Sequence, residues 1–226
     1  MHDIDRRQLL GLGAALLVAS SRTSRAAEPP APPALPVPTN WQRAQRLPLW
    51  TGMPPGAETY AAPQPPSDWP DSYVRSVSMP ELRVFRPARP NGRSLLVMPG
   101  GAYWFVSVVN EGADLAPRLT ARGYTVFVLT YRLPGEGWAA RSDVPLQDAQ
   151  RAMRLIRSRA ADYRIDPSRV GALGFSAGGH LAATLATRHA ENAYPEADAI
   201  DRLDARPWAT GLIYPVISLR DPITHG

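Results

Sequence analysis

Val170-Gly171-Ala172-Leu173-Gly174-Phe175-Ser176-Ala177-Gly178-Gly179-His180-Leu181-Ala182 is the stretch that decides the fold. A short apolar run, suited to a strand buried on both faces, ends in Gly-x-Ser-x-Gly. An Ala-rich helical pattern through Leu181 and Leu185 follows at once, as far as His189. A strand turning this sharply into a helix forces the central residue into a strained backbone. Glycines two positions either side allow the close passage of chain that such a turn needs. The turn lifts the Ser176 hydroxyl to the sheet edge, at a helix N-terminus that favours developing negative charge. Ser176 is therefore the candidate nucleophile. The pattern lacks the spacing of a dinucleotide-binding turn, which needs Gly-x-Gly-x-x-Gly and a later acid.

Working outward, further apolar runs have the same character. They are Ser94 to Met98, Tyr124 to Thr130 and Ala209 to Tyr214, with Leu82 to Phe85 inside an alternating stretch. Helical spacing lies between them. Gly112 to Arg122 carries Ala113, Leu115, Ala116 and Leu119 on one side, and Gly123 stops it. Asp143 to Tyr163 opens with Pro145 in its first turn and places Leu146, Ala149, Met153, Ile156 and Ala160 on one face. Strands alternating with helices predict an α/β fold, a doubly wound, mostly parallel sheet with helices on both faces. Arg151, Arg154 and Arg157 share a face of the second helix and read as a solvated outer surface.

Met98-Pro99-Gly100-Gly101-Ala102-Tyr103 follows the strand that ends at Met98. Small residues at such a turn let backbone N–H groups face a substrate oxygen. The candidate oxyanion donors are Gly101 or Ala102, with Gly100 in the same turn, together with Ala177 after the nucleophile. Losing one such donor costs about 3–4 kcal/mol of transition-state stabilisation. Tyr103 and Trp104 are candidate pocket residues. Asn110 and Glu111 are candidates for bracing the loop, and Asp148 is expected to face inward.

These motifs together resemble the α/β-hydrolase esterases often labelled lipase/esterase or xylanase proteins, acetyl-xylan-type carbohydrate esterases among them. The resemblance rests on Met98 to Tyr103, Asn110-Glu111-Gly112, Tyr131-Arg132-Leu133-Pro134, Pro145 to Ala152, Asp166-Pro167-Ser168-Arg169-Val170 and Gly174 to His180. It covers about the central half of the chain, 94–190. Ala102 departs from it, standing where such enzymes commonly carry a third glycine. The resemblance implies a serine esterase acting on short acyl esters, acetylated carbohydrate among them, through an acyl-enzyme and without a cofactor or metal. It also implies a triad acid after the seventh strand and a histidine after the eighth. The chain ends at Gly226, shortly after the sixth strand read here. The expectation is thus a hydrolase domain incomplete at its C-terminus, with an open sheet edge and exposed apolar surface. His180 is expected to pack under the sheet and His189 to sit at a helix end. His225 and Asp221 are poor candidates for base and acid. The alternatives are a catalytically incomplete or non-catalytic binding remnant, and a serine peptidase of the same fold, which would usually carry a large propeller or cap.

Composition narrows the classes further. The 226 residues have an ordinary hydrophobic fraction of 44% and a charged fraction of 20%. All 25 basic residues are arginine, and the net charge of +5 is too small to argue for nucleic acid. No cysteine is present, which excludes disulfides, thiolate catalysis and Cys-based metal sites. Arg6-Arg7 precedes an apolar run of about 11 residues, Leu9 to Ala19, and then Ser24-Arg25-Ala26. This predicts a twin-arginine export signal over 1–26 and a periplasmic or secreted protein. The run is too short to span a bilayer. Residues 27–70 are Pro-rich, punctuated by Trp41, Trp50 and Trp69, and read as an irregular segment partly docked on the domain. The partial hydrolase domain is then 71–226, and the expected partner is a small-molecule or carbohydrate ester.

Overall fold

A computed structural model describes residues 30–58 and 60–219. The export signal read over 1–26, Asp221 and His225 lie outside these described residues. All but Pro30 belong to a compact unit spanning 31–226. In chain order it contains α1 (Thr39–Arg43), β1 (Gln45–Pro48), β2 (Tyr73–Val74), β3 (Glu81–Phe85), β4 (Ser94–Met98) and β5 (Val106–Ser107). A π-helix (Val109–Ala113), α2 (Ala116–Thr120), β6 (Thr125–Thr130), α3 (Val144–Ser158) and α4 (Ala160–Tyr163) come next. The last are β7 (Val170–Phe175), α5 (Ser176–Arg188) and β8 (Thr210–Ile213).

Six strands form one sheet in the order β1-β3-β6-β4-β7-β8. The β6, β4, β7 and β8 strands run parallel, and β1 and β3 add an antiparallel margin. Thr-Val-Phe-Val-Leu-Thr of β6 is buried at every position, as a β-branched and aromatic strand between two neighbours and two covered faces should be. In register, Leu96 of β4 lies opposite Phe127 of β6 and Ala172 of β7, and all three are in the core. Helices α3 and α5 pack on each other, while α2 lies against β3 and β6. The doubly wound, mostly parallel α/β fold class is therefore the one observed.

Several elements differ from the sequence reading. The Pro-rich segment is not wholly irregular. Gln45–Pro48 pairs with β3 as the edge strand, a position where a terminal proline is tolerated. Trp41, Leu49 and Trp50 enter the core. The helix expected over 112–122 begins as a π-turn, and regular α-helix starts only around Pro117, whose missing N–H suits a first turn. The helix expected over 143–163 is divided at Arg159, where the backbone leaves the helical region (φ −102, ψ 14).

The arginine face of α3 is covered at Arg151 and Arg154, and only Arg157, bonded to the Pro167, Asp204 and Arg206 carbonyls, stays partly exposed. Arg151 is 1% exposed and bonds Asp198 at 2.7 Å and Asp201 at 2.8 Å. Arg154 reaches the Tyr194 hydroxyl at 2.8 Å and the Leu203 carbonyl at 3.0 Å. Residues 194–204 fold over α3 and present carboxylates and carbonyls that match the guanidinium fork. Asp148 does face inward. It accepts Arg132 side-chain and backbone N–H groups at 2.8–3.0 Å and the Trp50 indole at 3.2 Å, fixing the chain just after β6 to α3 and to the N-terminal segment.

Candidate active site

Strand β7 and helix α5 meet at Ser176, and the junction has the strain its sequence implies. Ser176 has φ 49, in the left-handed region that costs a non-glycine residue about 1–3 kcal/mol. The preceding Phe175 is still extended, at φ −118 and ψ 133. A side chain on Gly174 would run into the Gly178 carbonyl, and one on Gly178 into the carbonyl of Met98, at the end of β4. Both glycines of the Gly-x-Ser-x-Gly pattern are thus required by close passage of backbone. Ser176 opens a 13-residue helix, so the Ala177 N–H belongs to the first turn and has no partner within the helix.

The Gly-rich turn after β4 lies against this junction. Trp104 and Phe105 N–H groups donate to the Gly101 carbonyl at 2.8 and 3.1 Å and close it. Ala102 and Tyr103 hold φ 52 and 60, again left-handed for residues with side chains. The Gly101 and Ala102 N–H groups find no acceptor among the described residues, which leaves them as donors for a ligand oxygen. Gly100 is different. Its N–H donates to Glu111 Oε2 at 2.5 Å, so it is withdrawn from the candidate oxyanion set. Glu111 braces the turn as expected, and Asn110 Oδ1 accepts from Ser107 Oγ at 2.7 Å beside it.

Tyr103 and His180 stand 2.9 Å apart, Oη to Nδ1, with their rings edge to face. His180 therefore does not pack under the sheet. Four residues after Ser176 on α5, it faces the Gly-rich turn instead, as i and i+4 on one helix face should. Burial holds its imidazole below the usual histidine range. Tyr103 also packs edge-on against Tyr131, whose hydroxyl donates to the Pro99 carbonyl at 2.7 Å. Burial pushes both phenols up, so they stay protonated donors. Trp104 is half-buried.

Sequence reasoning missed Tyr214. Its hydroxyl donates to Glu111 Oε1 at 2.8 Å; although Tyr214 as a whole is 63% exposed, desolvation of the hydroxyl together with that carboxylate pushes it up to about 12. Two residues later, the Val216 N–H donates to the Ser176 carbonyl at 3.0 Å. No local pattern signals a contact made across 103 positions. A cavity of about 350 Å³ lies between α5 and the segment after β8, lined by His180, Thr184, Leu212, Pro215 and Val216.

Among the described residues, no side chain bonds the Ser176 hydroxyl. His180 is turned to Tyr103, and His189 lies 3.7 Å from Asp204 at the far end of α5. No group of three or more His, Asp or Glu among the described residues is placed to hold a metal ion. Likewise, no described helix is long and apolar enough to cross a membrane.

A strained serine between a parallel strand and a helix, faced by free amides of a Gly-rich turn, defines the α/β-hydrolase class. The chain belongs to the BD-FAE family, which its residues 82–205 match. It is 33% identical over 145 residues to an acetylxylan esterase of Xylanibacter ruminicola, covering 64% of this chain and 27% of that protein. It is 35% identical over 124 residues to endo-1,4-beta-xylanase B of Butyrivibrio fibrisolvens, covering 55% of this chain and 19% of that one. Among solved structures it resembles an acetyl ester-xyloside bifunctional hydrolase from Caldicellulosiruptor lactoaceticus. The TM-score is 0.58 at 30% identity, over 78% of this chain and 58% of that one. The chain thus spans about a quarter of the acetylxylan esterase it matches.

Proposed function

We propose that this chain carries the nucleophile and oxyanion donors of a serine carboxylic-ester hydrolase for short acyl esters, acetylated carbohydrate among them, exported by its twin-arginine signal to the periplasm or beyond. The observation that carries the reading is Ser176 at φ 49 between β7 and α5, beside unpaired amides at Gly101 and Ala102. In the first step Ser176 Oγ attacks the ester carbonyl carbon, and its proton passes to a general base. The carbonyl oxygen becomes an oxyanion, held by the N–H of Ala177 and of Gly101 or Ala102. The tetrahedral species collapses, the C–O bond to the alcohol breaks, and the alcohol departs with a proton. Water then cleaves the acyl-Ser176 ester and releases the acid. The chemistry named for the acetylxylan esterase and the acetyl ester-xyloside hydrolase supports acetyl groups on sugars as the substrate class.

One observation favours a second reading, a site that holds an ester without turning it over. The described histidines are engaged away from Ser176, and the reaction needs a base on its hydroxyl. Hydrolysis of p-nitrophenyl acetate by the full chain beside Ser176→Ala separates the two. Turnover lost in the variant is the result expected of the esterase. Equal rates from two equally folded proteins would leave only the binding reading.

A further inference from the structure

We propose that Glu111 is the positioning residue of the oxyanion turn, fixing which amides are offered to the substrate oxygen and holding them in register with Ser176. The proposal rests on the esterase reading and concerns a residue that does not itself touch substrate.

Gly100, Gly101 and Ala102 are three consecutive amides, and the turn must present some of them and not others. Both backbone groups of Gly100 are committed. Its N–H goes to Glu111 Oε2 at 2.5 Å, and its carbonyl accepts the Ser107 N–H at 3.0 Å. Its Cα is wedged against the nucleophile. A side chain there would come within 2.8 Å of the Phe175 carbonyl and 2.9 Å of Ser176 Cβ. With Gly100 held in this way, Gly101 and Ala102 are the amides left over. A short bond from an N–H to a carboxylate is charge-assisted and stronger than a neutral one.

The other oxygen of the same carboxylate accepts the Tyr214 hydroxyl at 2.8 Å. Tyr214 leads through Pro215 to Val216, whose N–H donates to the Ser176 carbonyl at 3.0 Å. A circuit therefore closes from Gly100 through Glu111, Tyr214 and Val216 to Ser176. It joins the turn after β4, the π-helix and the segment after β8 to the nucleophile. Glu111 sits inside the π-helix, an irregularity that recurs at functional sites. Only a carboxylate serves both donors. A glutamine has one acceptor oxygen; placed on the Gly100 N–H it makes a neutral bond without charge assistance, and its NH2 reaches Tyr214 only if the phenol turns from donor to acceptor.

Coulomb's law alone points the other way. A carboxylate beside a developing oxyanion opposes it, so charge removal in Glu111→Gln would speed the reaction if geometry were indifferent. The two accounts thus differ in sign. Kinetics on p-nitrophenyl acetate are measured for the full chain, Glu111→Gln, Glu111→Ala and Tyr214→Phe, with Ser176→Ala as background. Backbone amide NMR resonances of Gly100, Gly101 and Ala102 are recorded in each. The expected result is a fall in kcat of about 10–100-fold in Glu111→Ala with little change in KM, the signature of misplaced transition-state donors. Glu111→Gln falls between, with an unchanged melting temperature, and Tyr214→Phe loses less. All three amide resonances move when Glu111 is replaced. A kcat that is unchanged or raised in Glu111→Gln overturns the proposal. So do Gly101 and Ala102 resonances that stay put while Gly100 moves. A wild-type rate equal to that of Ser176→Ala overturns the esterase reading instead, and the resonances alone then decide the role of Glu111.

Discussion

The backbone strain and the chemistry of the site meet in Ser176. Its φ of 49 is strained for any side chain, and the strain belongs to the site, not to the packing of the hydroxyl. Replacing it with alanine keeps the Cβ in the left-handed region, whereas glycine releases it. We expect Ser176→Gly to be more stable than Ser176→Ala by about 1 kcal/mol in chemical denaturation. Equal stabilities would mean that the elbow is relaxed. Gly178→Ala should destabilise by about 1–3 kcal/mol, because its Cβ meets the backbone at the end of β4 and no side chain there can yield. His180 gives a pH signature. Burial lowers its folded-state pKa, so between that value and about 6.5 the unfolded chain binds more protons than the folded one. Stability therefore falls as pH drops through this window and is regained above it. In His180→Gln the slope should be shallower in urea melts taken across the window. An unchanged slope would place the titration elsewhere.

The scale of elements shows what a sequence discloses and what it withholds. Strands β4, β6 and β7 are legible because each lies inside the sheet, and helices α3 and α5 because one face of each is packed against it or against the other, so burial dictates apolar run length and helical spacing. The Gly-rich turn and the elbow are legible because backbone sterics admit few residues there. Strand β1 was hidden, since Gln45-Arg46-Leu47-Pro48 is an edge strand with one partner and no buried face to impose alternation. Tyr214 and the Arg151 cluster were hidden for another reason. Their partners lie 103 and about 50 residues away, and a guanidinium that will be buried looks in sequence like one that faces water. Arg151 and Asp201 make that point measurable. With side chains 1% and 4% exposed, they are a buried pair; in Asp201→Asn the guanidinium keeps Asp198, but an amide NH2 replaces an oxygen that accepts from Arg151 and Tyr194 or from the Ala197 N–H. The variant should lose about 1–3 kcal/mol in urea denaturation, the cost of buried donors left facing an NH2, while a loss well below about 1 kcal/mol would mean that Asp198 alone satisfies Arg151.

Across the whole molecule, the site stands between a well-covered sheet centre and an exposed margin. The run 209–214 reads as a strand buried on both faces. Among the described residues β8 is the edge strand, as the expectation of an open sheet edge had it, with Leu212 43%, Ile217 81% and Leu219 58% exposed, and Tyr214 beside them. An unpaired edge carrying apolar side chains is prone to association. We expect concentration-dependent sedimentation of the full chain, reduced in Leu212→Lys and Ile217→Lys. A monomer at every concentration would show that this margin is tolerated in water. The same margin, through Leu212 and Ile217, lines the cavity between α5 and the segment after β8.

The central claim is that Ser176 is a nucleophile held ready by β7, α5 and the turn after β4. The most direct measurement is the reaction of the full chain with paraoxon, followed by p-nitrophenol release and by mass mapping of the modified peptide. A nucleophilic Ser176 releases about one equivalent of p-nitrophenol and carries a diethylphosphoryl group, with no labelling of Ser176→Ala. A folded protein that releases no p-nitrophenol, or carries the group on any other residue, would contradict it.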